Sequence, residues 1–175
     1  MKILRLHIEN FGRLKDLDME FQEGLHIVRG ENGWGKSTLA AFIKAMFYGL
    51  PGTAKRSLKE NERKRYQPWQ GGSFGGSLEF AAGGQTYRVE RFFGAKEKED
   101  TYELYDLRTG LISLDYSERL GEELFGVDRK AYERSSFLGQ QDLAVFINDS
   151  LSARLTQAEE EAGDMRNYEQ ALSSL

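Results

Sequence analysis

Residues 30 to 38 of this chain have the residue types and the spacing of a loop that binds phosphate groups. They read Gly30-Glu31-Asn32-Gly33-Trp34-Gly35-Lys36-Ser37-Thr38, which satisfies the pattern Gly-x-x-x-x-Gly-Lys-Ser/Thr. Glycines let backbone N–H groups curl around an anion, and Lys36 would place a cation against the β- and γ-phosphates. Ser37 would offer its hydroxyl to Mg²⁺, and a helix starting there would turn its positive end toward the phosphates. The motif predicts a binding site for a nucleoside triphosphate.

The segments on either side of this loop have the order that the motif requires. Leu25-His26-Ile27-Val28 is a short apolar run with β-branched residues, which favours a buried strand leading into the loop. From Ser37 to Tyr48 the apolar residues recur at helical spacing, and Gly49 and Pro51 end that pattern. The sequence therefore predicts strand, phosphate loop and helix in succession.

The remaining segments predict an antiparallel meander beside that helix. Two further strands are predicted before the one at 25–28, at 2–8 and 14–21, with a turn at Asn10-Phe11-Gly12 between them. Two hairpins are predicted after it, with strands at 77–82, 85–93, 102–106 and 111–114. Helices are predicted at 117–124, at 129–135 and from 151 onward. The last of these fits either the start of a coiled coil or an ordinary amphipathic helix, and the fold class is α/β.

Composition places the chain among globular proteins of the cytoplasm. At 175 residues, one domain with its own core is expected. The absence of cysteine excludes disulfides and thiolate metal sites. There is no signal peptide and no apolar stretch near the roughly 18 residues of a membrane span. We therefore expect a cytoplasmic protein without a membrane segment.

One local stretch differs from the overall negative charge. The formal net charge is −4, which does not indicate nucleic-acid binding. The stretch from Lys55 to Arg65 nevertheless holds six basic residues against two glutamates; the basic ones are Lys55, Arg56, Lys59, Arg63, Lys64 and Arg65. This basic stretch fits a solvated charged loop, a lid over the nucleotide or a DNA-facing patch.

Part of a hydrolytic site is missing from the sequence. Phosphate-loop hydrolases need a carboxylate at the end of an apolar strand for Mg²⁺ and a residue that orients water. No apolar run here ends in Asp-Glu, and the closest candidate is Asp149 after the run 143–147. No Leu-Ser-Gly-Gly-Gln stretch occurs either. The chain has the elements for binding a nucleotide but not the complete set for hydrolysing it.

These pieces together resemble the N-terminal half of an ATPase head from the SMC-like branch of ABC ATPases, in particular the bacterial SbcC- and YhaN-type proteins. The resemblance covers most of the chain. It includes Ile8-Glu9-Asn10-Phe11-Gly12, the segment from Phe21 to Thr38, Phe47-Tyr48-Gly49, the hairpin from Gly76 to Phe93, and Phe137-Leu138-Gly139-Gln140.

The resemblance implies a split head. A first lobe, residues 1–150, would hold the phosphate loop and a glutamine loop, and residues 151–175 would begin a coiled coil. The missing motifs would come from the C-terminal lobe of the same protein. Two heads would then form a homodimer that sandwiches ATP and Mg²⁺. DNA is the expected target of the whole protein, in DNA repair or chromosome maintenance, with an SbcD-like nuclease as a possible partner.

Site residues follow from the same resemblance. Gly30 to Thr38 would bind phosphates, with Lys36 as a catalytic residue and Ser37 on Mg²⁺. Gln140 would contact Mg²⁺ or the attacking water, with Gln141 as the neighbouring alternative. Arg13 corresponds to an arginine near the nucleotide in relatives. Trp34 departs from the small residue usual at its position, and we expect its fluorescence to respond to nucleotide more than that of Trp69.

Two other functions remain open at the level of sequence. The first is a self-contained small phosphate-loop NTPase or kinase, which needs its Mg²⁺ carboxylate within this chain. A GTP-binding version would also carry an Asn-Lys-x-Asp motif, which does not occur. The second is a nucleotide-binding module without catalysis. ATP turnover with and without a C-terminal lobe separates these from the split head.

Overall fold

The computed structural model describes residues 1–52 and 61–135, and every structural statement below refers to these residues. The described part contains six strands, four α-helices and one 3₁₀ turn. The strands are β1 (Lys2–Phe11), β2 (Leu14–Glu20), β3 (Gly75–Ala82), β4 (Gln85–Phe92), β5 (Thr101–Asp106) and β6 (Leu111–Ile112). The helices are α1 (Lys36–Tyr48), α2 (Glu62–Tyr66), α3 (Leu120–Phe125) and α4 (Arg129–Ser135), and the 3₁₀ turn is Glu97–Glu99.

The six strands form one antiparallel sheet in the order β2-β1-β3-β4-β5-β6. Strand β1 lies between β2 and β3, and its Leu6 pairs with Met19 of β2 and with Leu78 of β3. The β3–β4 hairpin closes at Ala82 and Gln85 around two glycines that both have positive φ. The predicted α/β class and its antiparallel meander are confirmed.

One face of this sheet carries α1. Alternation along β1 turns Leu6 and Ile8 toward the core, where both are buried. It leaves His7, which lies between them, on the opposite face. Phe42 of α1 meets Phe11 with ring centroids 5.4 Å apart, and Phe47 meets Phe80 at 6.0 Å. Burying each such side chain contributes about 1.5–3 kcal/mol. The packed face therefore fixes the helix that follows the phosphate loop.

The first hairpin turns later than the sequence predicted. Asn10 and Phe11 belong to β1 and pair with Lys15 and Leu14, so the predicted turn at Asn10-Phe11-Gly12 is wrong. The turn is made by Gly12, with φ +60°, and Arg13. Phe11 stays in the strand because its side chain is completely buried among four other aromatic rings, those of Phe42, Tyr66, Phe74 and Phe93.

The predicted third strand at 25–28 is also wrong for the described part of the chain. These residues are not in a strand, and Leu25 and Ile27 are 90% and 68% exposed. An apolar run becomes a strand only where a neighbouring strand supplies hydrogen bonds, and the six-stranded sheet places none beside this segment. Smaller differences are that β6 ends at Ile112 and that α3 begins at Leu120.

Candidate nucleotide-binding site

The phosphate loop passes directly into α1 through two glycines with left-handed backbone. Gly33 has φ +88° and Gly35 has φ +120°. A side chain would be strained at either position, and a Cβ on Gly35 would also lie 2.7 Å from Leu14 Cδ2. The glycines therefore permit a tight approach of the loop backbone to the β1–β2 turn. The first part of the loop itself stays open to solvent, because residues 29–34 are exposed.

The N-terminus of α1 is left open for an anion. Gly35 occupies the N-cap position without a side chain to accept hydrogen bonds, and the first turn has no acidic residue. The first N–H groups of a helix have no partners within it, and the helix dipole places partial positive charge there. A phosphate group supplies both the missing acceptors and the negative charge.

Two contrasts within the described chain show that this open end is not a general property of its helices. The short helix α2 is capped by the Asn61 side chain, which accepts from the Lys64 N–H at 3.1 Å. The C-terminal end of α1 also has a protein partner, because buried Arg91 of β4 donates from Nε to the Met46 carbonyl at 2.9 Å. Burial lowers the pKa of Arg91. The phosphate-loop end of α1 has neither a side-chain cap nor an acidic residue in its first turn.

The Lys36 side chain bridges two backbone carbonyl groups at the start of the phosphate loop. Its Nζ donates to the carbonyl of Gly30 at 2.6 Å and to that of Glu31 at 3.0 Å. A lysine ammonium has three N–H donors, so two close the loop and one is left for a phosphate oxygen. The role of Lys36 at the β- and γ-phosphates stays a prediction.

The donor set at the site fits Mg²⁺ only in part. Ser37 lies exposed in the first turn of α1, where its hydroxyl oxygen would serve as one hard ligand. No group of three His, Asp or Glu residues that could hold a metal occurs among residues 1–52 and 61–135. The described residues therefore fit a cation that is carried mainly by phosphate oxygens and water.

The β1–β2 turn covers the loop from one side. A Cβ placed on Gly33 would lie 3.0 Å from Arg13 Nη1, and a Cβ on Gly12 would lie 2.9 Å from Thr38 Cγ2. Arg13 is exposed. The structure thus brings the predicted Arg13 to the loop, together with Gly12 and Leu14. Gly12 and Leu14 could not be assigned to the site from the sequence, because nothing in their local pattern shows a contact with residues so far along the chain.

Trp34 braces the loop. A Cβ atom added to Gly30 would lie 3.2 Å from the Cγ atom of the Trp34 indole. The Trp34 side chain is 40% exposed. One side of its ring system is therefore covered by the beginning of the loop. The Trp34 N–H also donates to the Glu31 carbonyl at 3.2 Å, which closes a turn inside the motif.

A buried ionic cluster connects α1 to α2 and α4. Lys44, on α1 and 5% exposed, donates to Glu62 and to Glu133, each at 2.8 Å. Arg129 also pairs with both glutamates and donates to the Gly49 carbonyl at 2.9 Å. Burial acts to raise the pKa of Glu133, but hydrogen bonds from Lys44 and Arg129 hold it below its ordinary value. The cluster fixes the helix behind the phosphate loop against the end of the described chain.

The basic stretch divides into residues of different kinds. Lys55, Arg56 and Lys59 lie outside the described residues. Arg63 is 5% exposed and donates to both carboxylate oxygens of Asp100, at 2.6 and 2.7 Å, and to the Gly94 carbonyl at 2.9 Å. Arg63 therefore forms a structural ion pair with Asp100, and it is neither a lid residue nor a DNA-facing residue. Lys64 and Arg65 are exposed, so a solvated loop, a nucleotide lid and a DNA-facing patch all remain open for them.

The remaining predicted site residues, Gln140 and its alternative Gln141, lie outside the described part of the chain, as does Asp149. The same is true of the predicted helix that begins at residue 151. In the described ranges no helix is long and apolar enough to span a membrane.

Comparisons with known proteins agree on one class of ATPase. The AAA domain family matches residues 5–175. The protein YhaN of Bacillus subtilis (strain 168), named as uncharacterized, is 30% identical over 160 residues, which cover 86% of this chain and 14% of YhaN. The DNA double-strand break repair Rad50 ATPase of Methanosarcina acetivorans is 29% identical over 157 residues, or 85% of this chain and 14% of Rad50.

A third relative is matched over almost the whole chain. The DNA repair protein RecN of Aquifex aeolicus (strain VF5) is 27% identical over 183 residues, which cover 95% of this chain and 35% of RecN. The chain thus spans 14% of the length of YhaN and of Rad50. The residues that match the AAA domain family include the phosphate loop and the turn that covers it.

Proposed function

This chain belongs to the AAA domain family, in the SMC-like branch of ABC ATPases, and from that premise we propose that it is the ATP-binding half of a split ATPase head. The observation that carries the proposal is the open N-terminus of α1. It has no side-chain cap, and the loop before it carries two cations, since Lys36 donates to the Gly30 carbonyl and Arg13 lies against Gly33. Such an arrangement binds the phosphates of a nucleotide.

Each residue of the loop has a distinct task in this proposal. Backbone N–H groups at the start of α1 bind the phosphate oxygens, and the third N–H of Lys36 binds the β- and γ-phosphates. The Ser37 hydroxyl holds Mg²⁺, which neutralises phosphate charge when bound. Arg13 lies against the loop and adds a second cation near the nucleotide. Gln140 contacts the metal or the attacking water.

Residues 25–28, here called the lead-in segment, form the region that another part of the protein would complete. Leu25 and Ile27 face solvent immediately before a loop of a kind that typically follows a strand. The sequence also lacks the signature motif and the water-orienting carboxylate, while the chain spans 14% of YhaN and of Rad50. We propose that the C-terminal lobe of the same protein pairs with residues 25–28 and supplies those groups for hydrolysis.

The whole protein would act as a cytoplasmic ATPase on DNA. Two of the relatives are named for DNA repair, one of them for double-strand breaks. By that likeness, two heads would dimerise through bound ATP and act in repair or chromosome maintenance. An SbcD-like nuclease is a candidate partner of such a head.

Nucleotide binding and turnover test this proposal on the 175-residue chain. Mg-ATP should bind, and Lys36→Ala should weaken binding by about 100-fold, since each charge-assisted hydrogen bond contributes about 1.5–3 kcal/mol. Lys64→Ala is the control, because Lys64 is exposed on α2. The chain alone should hydrolyse ATP negligibly, and adding the C-terminal lobe should restore turnover. Robust turnover by the chain alone would instead indicate a self-contained NTPase.

A further inference from the structure

Trp69 presents nearly its whole side chain to solvent. It is 96% exposed and lies in the segment 67–73 between α2 and β3, here called the Trp69 loop. An indole carries two large π-faces and a polar N–H, which suit it to stack on a planar ligand. No contact with the rest of the described protein covers either face to a significant extent, so both are open to such a ligand.

The Trp69 loop is fixed to the end of β1 along its length. At its start, buried Tyr66 stacks on Phe11 with ring centroids 5.0 Å apart, and its carbonyl accepts from the Gly12 N–H at 2.6 Å. In its middle, Asn10 Nδ2 donates to the Gly71 carbonyl at 3.0 Å. At its end, Phe74 packs on Phe11 at 5.4 Å. The exposed indole therefore stands on an anchored loop.

The same end of β1 covers the phosphate loop. Gly12 lies against Thr38, and Arg13 lies against Gly33. Trp69 is three residues from Tyr66, a span of at most about 11 Å. The residues from Asn10 to Arg13 thus join the Trp69 loop on one side to the phosphate-binding motif on the other.

We propose that Trp69 stacks on the base of the nucleotide whose phosphates are bound by Gly30 to Thr38. The inference rests on the proposed function, because it needs a nucleotide at that loop. Stacking recognises any base through its π-face, and a purine offers more area than a pyrimidine. Trp69 thereby favours ATP and GTP over CTP and UTP.

The proposal differs from the expectation drawn from sequence position, which favours Trp34 as the tryptophan that responds to nucleotide. Trp34 lies within the motif, but its indole is packed against Gly30 and braces the loop. Trp69 is 33 positions away from Lys36 in the chain, yet it is tied to the turn that covers the motif. Both faces of the Trp69 indole are open, whereas one side of the Trp34 indole is covered by the start of the phosphate loop.

Comparing two ligands isolates the contribution of the base. Mg-ATP and Mg-tripolyphosphate share the phosphates, and only ATP has a base to stack. Calorimetric titration of the 175-residue chain should show that Trp69→Ala weakens ATP binding about 5- to 100-fold, the range expected for loss of one base–aromatic stack. Tripolyphosphate binding should not change. Trp69→Phe should retain most of the ATP affinity because it keeps an aromatic face.

Fluorescence gives an independent readout, because the chain has only two tryptophans. In Trp34→Phe, the emission of Trp69 should change saturably with Mg-ATP and stay constant with Mg-tripolyphosphate. Equal losses for both ligands in Trp69→Ala, or no loss for either, would overturn the inference. Loss of DNA binding with unchanged ATP affinity would also overturn it and make Trp69 a DNA contact. If the unmodified chain binds neither ligand, the proposed function itself fails.

Discussion

Arg13 and Gly33 touch across the phosphate loop so closely that Nη1 of the arginine lies 3.0 Å from where a Cβ on the glycine would be. The contact joins the β1–β2 turn to the centre of the nucleotide-binding motif. It also means that a methyl group at position 33 must displace the arginine. Two independent constraints, the positive φ of Gly33 and this contact, therefore act on a single residue.

Gly33→Ala should impair nucleotide binding beyond its effect on folding. Left-handed backbone costs an alanine about 1–2 kcal/mol, and the new methyl group also shifts Arg13. Gly84→Ala is a matched control, since Gly84 has φ +82° in the β3–β4 turn and its Cβ would meet nothing within 4 Å. Both variants should lose similar unfolding free energy in denaturant titrations, while only Gly33→Ala should lose ATP affinity. Equal ATP affinities in the two variants would contradict this reading.

Arg63→Ala should destabilise the fold, in contrast to its neighbours on α2. Removing one partner of a buried ion pair costs about 3–5 kcal/mol, because Asp100 would be left without its bidentate donor. Lys64→Ala, an exposed substitution one residue away, should change the unfolding free energy by no more than about 0.5 kcal/mol. Urea unfolding followed by circular dichroism measures both. Similar midpoints for the two variants would show that the Arg63–Asp100 pair contributes little.

DNA binding by the basic stretch is best tested with Arg63 left in place. Five substitutions to glutamine remove the other cations, namely those at Lys55, Arg56, Lys59, Lys64 and Arg65. We expect weak, sequence-independent association of the unmodified chain, with affinity falling steeply as salt rises because counterions are released. The variant should show a flatter salt dependence and unchanged ATP affinity. A fall in ATP affinity with an unchanged salt dependence would identify the stretch as a nucleotide lid.

Glu133 should make part of the stability depend on acid pH. Its pKa in the folded chain is lowered by the hydrogen bonds from Lys44 and Arg129. The stabilisation is therefore present above the unfolded value of about 4.3 and is lost as pH falls through the folded value. Unfolding free energy measured from pH 6 down to pH 3 should fall less steeply for Glu133→Gln than for the unmodified chain. Glu9→Gln, at an exposed residue of β1, should retain the original slope; a slope unchanged in Glu133→Gln would refute the assignment.

The exposed lead-in segment should matter only in the complete protein. Leu25→Glu should leave the unfolding free energy of this chain within about 0.5 kcal/mol, because Leu25 is 90% exposed. In the complete protein it should reduce ATP turnover, since a charge would be buried against the C-terminal lobe. Leu114→Glu serves as control with the same chemistry at 93% exposure, and it should reduce turnover much less. Equal turnover in both variants would argue against a lobe pairing at residues 25–28.

The sequence predicted those parts of the fold and site whose causes are local. The helix after the phosphate loop follows from apolar spacing, and the hairpins follow from alternation and glycine turns. Burial of Arg63 could not be predicted, because its partner Asp100 is 37 positions away and a run of charges gives no sign of it. The strand at 25–28 was predicted from its apolar residues, but strand formation also needs a neighbour. The contacts that tie the Trp69 loop to the end of β1 likewise join residues far apart in the chain, so no local pattern shows them.

The two ends of the segment 53–60 are tied to the same short stretch of chain. Before it, the Gly52 N–H donates to Glu97 at 2.9 Å, and after it, Arg63 binds Asp100 and the Gly94 carbonyl. The stretch from Gly94 to Asp100 therefore holds both the chain that leaves α1 and the start of α2, so a change in that stretch acts on both at once.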